Sequence, residues 1–514
     1  MKNFKQYIII AASLLTLGSC SDYLDVTPSD KQTAEQLFGS KAGFYAAQNG
    51  VYDALASDAL YGKQMTWEAI EVLSQSFSTD NVSTYYKNLN GGAYTEYTVA
   101  NNLSSIWQKA YETILAANLL MEQVNNQNGI LSKAEADMMK GEMLAVRAFL
   151  HLDMLRLFGP TPTKGYDQPA IPYNESTNIT VLDLLTIKQA GEKIIRDLNE
   201  AEKLLAEDPI IKNGPMMSEP EDGSSVQNRY RQYRFNIYAV KALKARTYIW
   251  VGENEKAYKA ATDLIIDENV QKMFPAVDAT TLLANAKNPD RVFSSEVLVG
   301  IYDKDRDNVY NNYFASTAPT SQFLTPYSGF VSGTSSSLFT NMILGPETSD
   351  YRFQSQWEAN SNTAGGYCFS KYKKIDRPDM TDENSEYYYA KMIPLIRMHE
   401  MYLIAMETAS TPLEQVMWYD QVRGRRGNMM LEPIGYLPMF AQYWQMGYSG
   451  LFTSNEYRRE FWGEGQWMYY TKRVEPLAAL GVQGTGVSYY SENGNMQNFT
   501  SIDVNLPLPA AEMK

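Results

Sequence analysis

Residues 238–265 read YAVKALKARTYIWVGENEKAYKAATDLI. Apolar and small side chains recur every three to four positions on both sides of Gly252, the spacing of one buried face on an α-helix. Ala245 and Ala257 are small enough to let two antiparallel helices approach closely. Tyr248 fills the space beside them, and Gly252 permits a tight turn between them. The stretch is expected to be a helical hairpin.

Small, aromatic, turn glycine, small is also the grammar of a tetratricopeptide repeat. A second, compressed pair is expected in IRMHEMYLIAMETASTPLEQVMWYDQVRGRRG, 396–427. Nearer the N-terminus, SSIWQKAYETILAANLLMEQV (104–124) puts Ile106, Trp107, Ala110, Tyr111, Ile114, Leu115 and Leu119 on one stripe. AEADMMKGEMLAVRAFLHLDMLRLFGP (134–160) is more apolar and stops at Gly159-Pro160. TVLDLLTIKQAGEKIIRDLNEAEKLL (180–205) reads as a third long helix. Polar tracts rich in Gly, Ser and Asn lie between, at 74–104, 214–230, 302–366 and 481–500; long tracts of this kind are usually functional or disordered. The expected fold is mainly α, a degenerate tetratricopeptide-repeat scaffold with long loop-rich insertions and few short strands.

At the N-terminus, Lys2 and Lys5 precede an apolar run, Ile8 to Leu17, and the small pair Gly18-Ser19. This is the pattern of a secretory signal peptide over 1–19, too short to span a bilayer. Leu17-Gly18-Ser19-Cys20 resembles the bacterial lipobox, in which the cysteine thiol takes a diacylglyceryl group and becomes the mature N-terminus. Several acyl chains anchor firmly where one holds only marginally. Residues 20–32, with Asp22, Asp25, Asp30 and Pro28, read as a tether, and 33–514 as a single domain. No later segment approaches 18 consecutive apolar residues. With Cys20 lipidated, Cys368 is alone, and a small apolar core residue is expected there.

The charge balance excludes some partners. Against 45 basic residues stand 59 acidic ones, a net charge of −14, so neither nucleic acid nor an anionic surface finds a basic face. Enzyme chemistry finds little support. The two histidines, His151 and His399, sit inside helical blocks and are expected to be packed or capping residues. Nucleophilic catalysis needs an adjacent base, and a zinc site needs clustered Cys and His ligands. Glu460 and Glu464, one helical turn apart, could in principle form a hydrolytic carboxylate pair, but 59 acids produce such pairs by chance. Asp303, Asp305 and Asp307 alternate as in a calcium loop, yet Asn308 and Phe314 occupy the glycine and glutamate positions, and solvated loop acids are the better reading. GVQGTGVS (481–488) lacks phosphate-binding spacing and reads as a loop. No enzyme, cofactor or metal is expected.

Blocks along nearly the whole chain resemble the SusD/RagB family of Bacteroidetes nutrient-uptake lipoproteins. They include CSDYLDVTPSD (20–30), EQLFGSKAGFYAAQNGVYDAL (35–55), GEMLAVRAFLHLDMLRLFGPTP (141–162), KALKARTYIWVGENEKA (241–257), SSEVLVGIYD (294–303), RREFWGEGQWMYYTKR (458–473) and VNLPLPAAEMK (504–514). Two blocks depart from the family pattern. Glu464-Gly465-Gln466 is followed by Trp467 where Glu-Gly-x-Arg is usual, with Tyr470 at an acidic position, and Arg426 stands where an alanine is common. Both changes are expected to repack a structural corner. The resemblance implies an outer-membrane lipoprotein on the extracellular face. It implies a SusC-type TonB-dependent transporter as partner, for which the chain acts as a lid. It also implies capture of an oligomeric nutrient, most often a glycan, without chemistry. A peptide ligand, or a mainly structural lid, are the alternatives.

No ligand residue transfers through the family motifs, so the candidates come from loop chemistry. Sugar rings need aromatic faces, and hydroxyls need Asn, Asp or Gln. The first tract offers Tyr85, Tyr86, Tyr94 and Tyr97 with Asp80 and Asn81. The second offers Tyr310, Tyr313, Phe314 and Tyr327 with Asn311 and Asn312.

Overall fold

The computed structural model describes residues 34–74, 76–78, 82–178, 180–215, 229–284, 289–326, 349–360, 367–375, 388–428, 433–445, 450–474, 488–490, 496–498 and 505–509. Cys20, Asp80, Asn81, Tyr327 and the loop 481–487 lie outside them.

Helix α1 (Lys41–Leu55) begins at Ser40, whose hydroxyl accepts the Gly43 N–H, a standard N-cap. A short α2 (Ala69–Leu73) leads into strand β1 (Phe77–Ser78), and α3 (Thr84–Asn90) follows. Helix α4 (Tyr97–Asn126) buries Val99, Leu103, Ile106, Trp107, Ala110, Ile114, Ala117, Met121 and Val124. The expected stripe is displaced at its end: Leu119 is exposed, and Leu120 turns inward in its place. Helix α5 (Lys133–Phe158) opens with a capping box between Ser132 and Glu135. From Gly141 to Phe158 every residue is buried, so α5 is the central helix of the scaffold.

Strands β2 (Pro169–Ile171) and β3 (Leu185–Thr186) pair antiparallel. Helix α6 (Ile187–Leu204) starts seven residues later than the sequence suggests. Thr186 caps it, its hydroxyl accepting the Gln189 N–H while the Gln189 side chain returns to the Thr186 N–H. This capping box outweighs the apolar continuity of TVLDLL.

The 238–265 hairpin forms as expected, α7 (Ile237–Trp250) and α8 (Asn254–Ile266) meeting at Gly252. Ala245, Ala257 and Ala261 are fully buried at the crossing. Gly252 has φ +80°, and a Cβ there would sit 2.4 Å from the Tyr166 hydroxyl, so only glycine fits. Strand β4 (Val297–Tyr302), β5 (Thr325–Pro326), β6 (Trp357–Ala359), β7 (Tyr367–Phe369) and β8 (Met392–Arg397) form two-residue to six-residue antiparallel pairs: β1 with β5, β4 with β8, β6 with β7.

The second repeat appears as α9 (Met398–Glu407) and α10 (Pro412–Gly424), the latter capped by Thr411 with Pro412 in its first turn. Helix α11 (Pro433–Gln445) docks through Phe440, stacked 4.0 Å from Phe452 of α12 (Gly450–Glu460); α13 is Gln466–Val474. Consecutive helices from α4 to α11 pack on their neighbours, and the main apolar cluster runs from Phe44 to Leu506, with Val277, Leu282 and Phe293 in a small second one. The architecture is mainly α and tetratricopeptide-like, with few short strands. No described helix is long and apolar enough to cross a membrane.

Candidate functional site

The two polar tracts flagged in the sequence meet in space. Phe77 pairs with Pro326 and Ser78 with Thr325, and the Ser83 N–H donates to the Ser321 carbonyl at 3.1 Å. Beneath this junction lies a layer of rings. Phe314 sits 5.5 Å from Phe77, 5.8 Å from Trp67 and 5.3 Å from Phe369, and Trp462 meets Phe77 edge-on. Phe314 is fully buried and belongs to the floor, so it does not face a ligand.

Above the floor the tyrosines diverge. Tyr313, half-buried in a π-helical turn over Tyr310–Phe314, packs 4.6 Å from Trp67 and carries the Lys63 ammonium 5.0 Å above its ring. Lys63 pairs with Glu68 at 3.1 Å, and Glu68 accepts the Tyr86 hydroxyl. Tyr86 is therefore a buried anchor, its hydroxyl pushed well up by burial and by Glu68. Tyr85 lies 5.1 Å from it and is half-buried, and its hydroxyl has no hydrogen-bond partner among the described residues. Tyr310 donates to Glu358 at 3.0 Å, with Lys373 bonded to the same carboxylate and 5.2 Å over the Tyr310 ring. Asn311 and Asn312 are exposed beside it.

Tyr85, Tyr310, Tyr313, Asn311 and Asn312 thus line one surface, with Tyr86 supporting it. Tyr94 is buried, and Tyr97, though 76% exposed, stands apart at the start of α4. Lys63, Glu68, Lys373 and Glu358, which orient the tyrosines, were not singled out from sequence; no local pattern marks them.

The neighbouring acids are structural. The Asp303 carboxylate accepts the Asp305 N–H at 2.9 Å, and Asp307 pairs with Lys391 at 2.7 Å. Glu460 and Glu464 are buried within a network of cations. Arg426 bridges Glu460 and Glu296 at 2.6–2.8 Å, Arg352 reaches Glu456 and Glu460, and Arg397 and Lys371 hold Glu464. Burial pushes the Glu460 carboxyl up, but the guanidiniums of Arg426 and Arg397 overcome it and hold it well below the usual range. Glu296, His399 and Glu460 place one donor atom each within 4.8 Å of one another. The Arg426 guanidinium occupies the position between the two carboxylates, so their lone pairs already serve a cation. His399 is kept neutral by burial and by Arg426. His151 is packed on Tyr173, its ring nitrogens bonded to the Arg147 carbonyl at 2.9 Å and the Asn174 N–H at 3.0 Å; burial lowers it to about 3.

Comparison with known proteins places this architecture. A family model described as "Starch-binding associating with outer membrane" matches residues 22–216. SusD-like protein P38 of Formosa agariphila is 27% identical over 277 residues, 52% of this chain and 46% of that protein. SusD-like protein P2 of the same organism is 27% identical over 209 residues, 40% and 38%. The matched stretches span less than half the length of these relatives. A SusD superfamily structure from Bacteroides thetaiotaomicron aligns with a TM-score of 0.61 at 20% identity, covering 92% of this chain and 97% of that one. The chain is similar in sequence to SusD-like proteins and shares the fold of SusD superfamily structures. A structure described as a laminarin binding SusD-like protein aligns at TM-score 0.55 and 16% identity, over 92% and 97%.

The two departures from the SusD/RagB pattern both fall in the packed interior. Trp467 is buried, and the half-buried Gln466 beside it accepts a bond from Arg156 at 2.9 Å. Tyr470 stacks on Tyr457 and Trp467. Arg426 is the bridge between Glu296 and Glu460.

Proposed function

We propose that this chain is a cell-surface lipoprotein of the SusD/RagB family that captures an oligomeric glycan and delivers it to a SusC-type TonB-dependent transporter, over which it acts as a lid. The anchor is Cys20, the folded body from residue 33 is one domain, and the location is the extracellular face of the outer membrane. The observation that carries the reading is the convergence of the two aromatic tracts onto one surface. Tyr85, Tyr310 and Tyr313 are half-buried there and offer ring edges and faces, Asn311 and Asn312 offer amides, and Lys63, Lys373 and Glu358 hold the Tyr313 and Tyr310 rings in place. Such a surface binds by stacking and hydrogen bonding. The family description and the laminarin-binding relative support a sugar as ligand. On this reading the chain works by binding and not by chemistry.

The test is nutrient uptake by cells carrying Tyr85→Ala, Tyr310→Ala and Tyr313→Ala together, with surface display checked by antibody. Impaired uptake at normal display supports capture by this surface. Unchanged uptake assigns the chain a purely structural lid role instead.

A further inference from the structure

Ion pairs border the tyrosine surface. The Lys373 ammonium donates to both oxygens of Glu358, at 2.8 and 2.9 Å. Lys63 pairs with Glu68 at 3.1 Å, and Lys391 with Asp307, three residues before Tyr310, at 2.7 Å. The Arg291 guanidinium stands 3.7 Å from Glu358, but it is buried and does not present its charge outside.

Glu358 lies on β6, and Lys373 follows β7. The β6–β7 pairing, Trp357 against Phe369, therefore sets the carboxylate and the ammonium side by side. Tyr310 joins them, donating to Glu358 at 3.0 Å with Lys373 over its ring. Burial and Glu358 push the Tyr310 hydroxyl well up, so it stays a neutral donor. Glu68 is buried, whereas the Glu358 and Lys373 side chains are 32% and 37% exposed. Acceptor and donor atoms thus reach solvent beside an aromatic ring.

A sugar hydroxyl both donates and accepts a hydrogen bond. A carboxylate accepts and an ammonium donates, and bonds to charged groups are the stronger kind. The pair offers both roles at one place without net charge. An acidic sugar meets a different surface. Its carboxylate or sulfate needs a cation, yet Lys373 and Lys63 already serve Glu358 and Glu68, whose charges repel it. The net −14 of the chain adds to that repulsion.

We propose that the captured glycan is uncharged, and that Glu358 and Lys373 read its hydroxyls beside the Tyr310 ring. The inference rests on this surface being the capture site, and adds the class of sugar that it takes.

The Ser21–Lys514 chain is run in native gels holding uncharged polysaccharides (laminarin, starch, galactomannan) and in gels holding acidic ones (alginate, polygalacturonate, chondroitin sulfate), at low and high salt. The proposal expects retardation in at least one uncharged gel, unchanged by salt, and free migration in every acidic gel. Retardation in an acidic gel overturns the proposal and leaves glycan capture intact. Retardation in an uncharged gel that high salt removes does the same. Free migration in every gel overturns capture by the chain, and the proposal with it. Glu358→Gln then tests the pair, because it keeps an accepting oxygen but strips Lys373 of its counter-charge. With circular dichroism unchanged, the variant is expected to bind the uncharged gel less and to gain retardation in an acidic one. Lys373→Gln serves where that variant fails to fold, and is expected to weaken retardation in the uncharged gel and gain none in the acidic gels. A folded variant of either kind that migrates as the parent does overturns the role given to the pair.

Discussion

Glu71→Gln isolates one buried proton. Glu71 lies on α2 with no exposure, and its carboxylate accepts the N–H groups of Gly463 at 3.1 Å and Gly465 at 2.9 Å. Both glycines have left-handed φ values, +74° and +71°, which point the two amides at one oxygen. Burial raises the carboxyl from 4.5 to about 7, opposed by those amides, by Ser76 and by Lys371. Between pH 4.5 and 7 the folded state keeps a proton that the unfolded chain has released. The stability contributed by this group is thus full below about 4.5, falls as pH rises toward 7, and is flat above. Each tenfold change in proton affinity is worth about 1.4 kcal/mol, so the loss approaches roughly 3 kcal/mol. Glutamine keeps the accepting oxygen and cannot ionise. Urea unfolding of both proteins from pH 4.5 to 8 measures the effect. The variant and parent should be of similar stability at pH 4.5, and the variant should gain steadily to about 3 kcal/mol at pH 8. Parallel pH curves would refute the reasoning, because they would mean that Glu71 ionises as easily folded as unfolded.

Other perturbations test the scaffold. Arg426→Met should cost about 3–5 kcal/mol in urea unfolding, because it leaves Glu296 and Glu460 buried with too little positive charge; a cost below 1 kcal/mol would show that the remaining arginines suffice. Gly252→Ala forces a left-handed alanine against Tyr166 and should destabilise by about 1–2 kcal/mol or more in the same assay, whereas the exposed Gly129→Ala, with open space around its Cβ position, should pay only the backbone cost.

The helical body was legible in sequence because its signals are local. The small residues flanking Gly252 define the α7–α8 hairpin, Gly159-Pro160 stops α5, and Thr411-Pro412 starts α10. Where two local signals compete, as at Thr186, the capping box decides against the longer apolar run. Leu119 shows the limit of a stripe drawn on an ideal helix, since the loop bound at Asn118 and Glu122 leaves it outside the packed face. The ligand surface was only half legible. The aromatic tracts were recognisable by composition, but the β1–β5 pairing joins residues some 250 positions apart in the chain. That pairing brings the two tracts together, with Phe314 and Tyr86 buried and Tyr85, Tyr310 and Tyr313 half-buried. The charge network around Glu460 was invisible for the same reason, because Glu296, Arg352, Lys371, Arg397 and Arg426 come from separate elements.

The central claim is that the converged tyrosines bind glycan, and native affinity electrophoresis of Ser21–Lys514 through a panel of polysaccharide gels tests it most directly. The account predicts retardation in at least one gel, abolished by Tyr85→Ala, Tyr310→Ala and Tyr313→Ala together while circular dichroism stays unchanged. Retardation that survives the triple substitution would contradict the assigned surface, and free migration of the parent chain in every gel would contradict glycan capture by the chain itself.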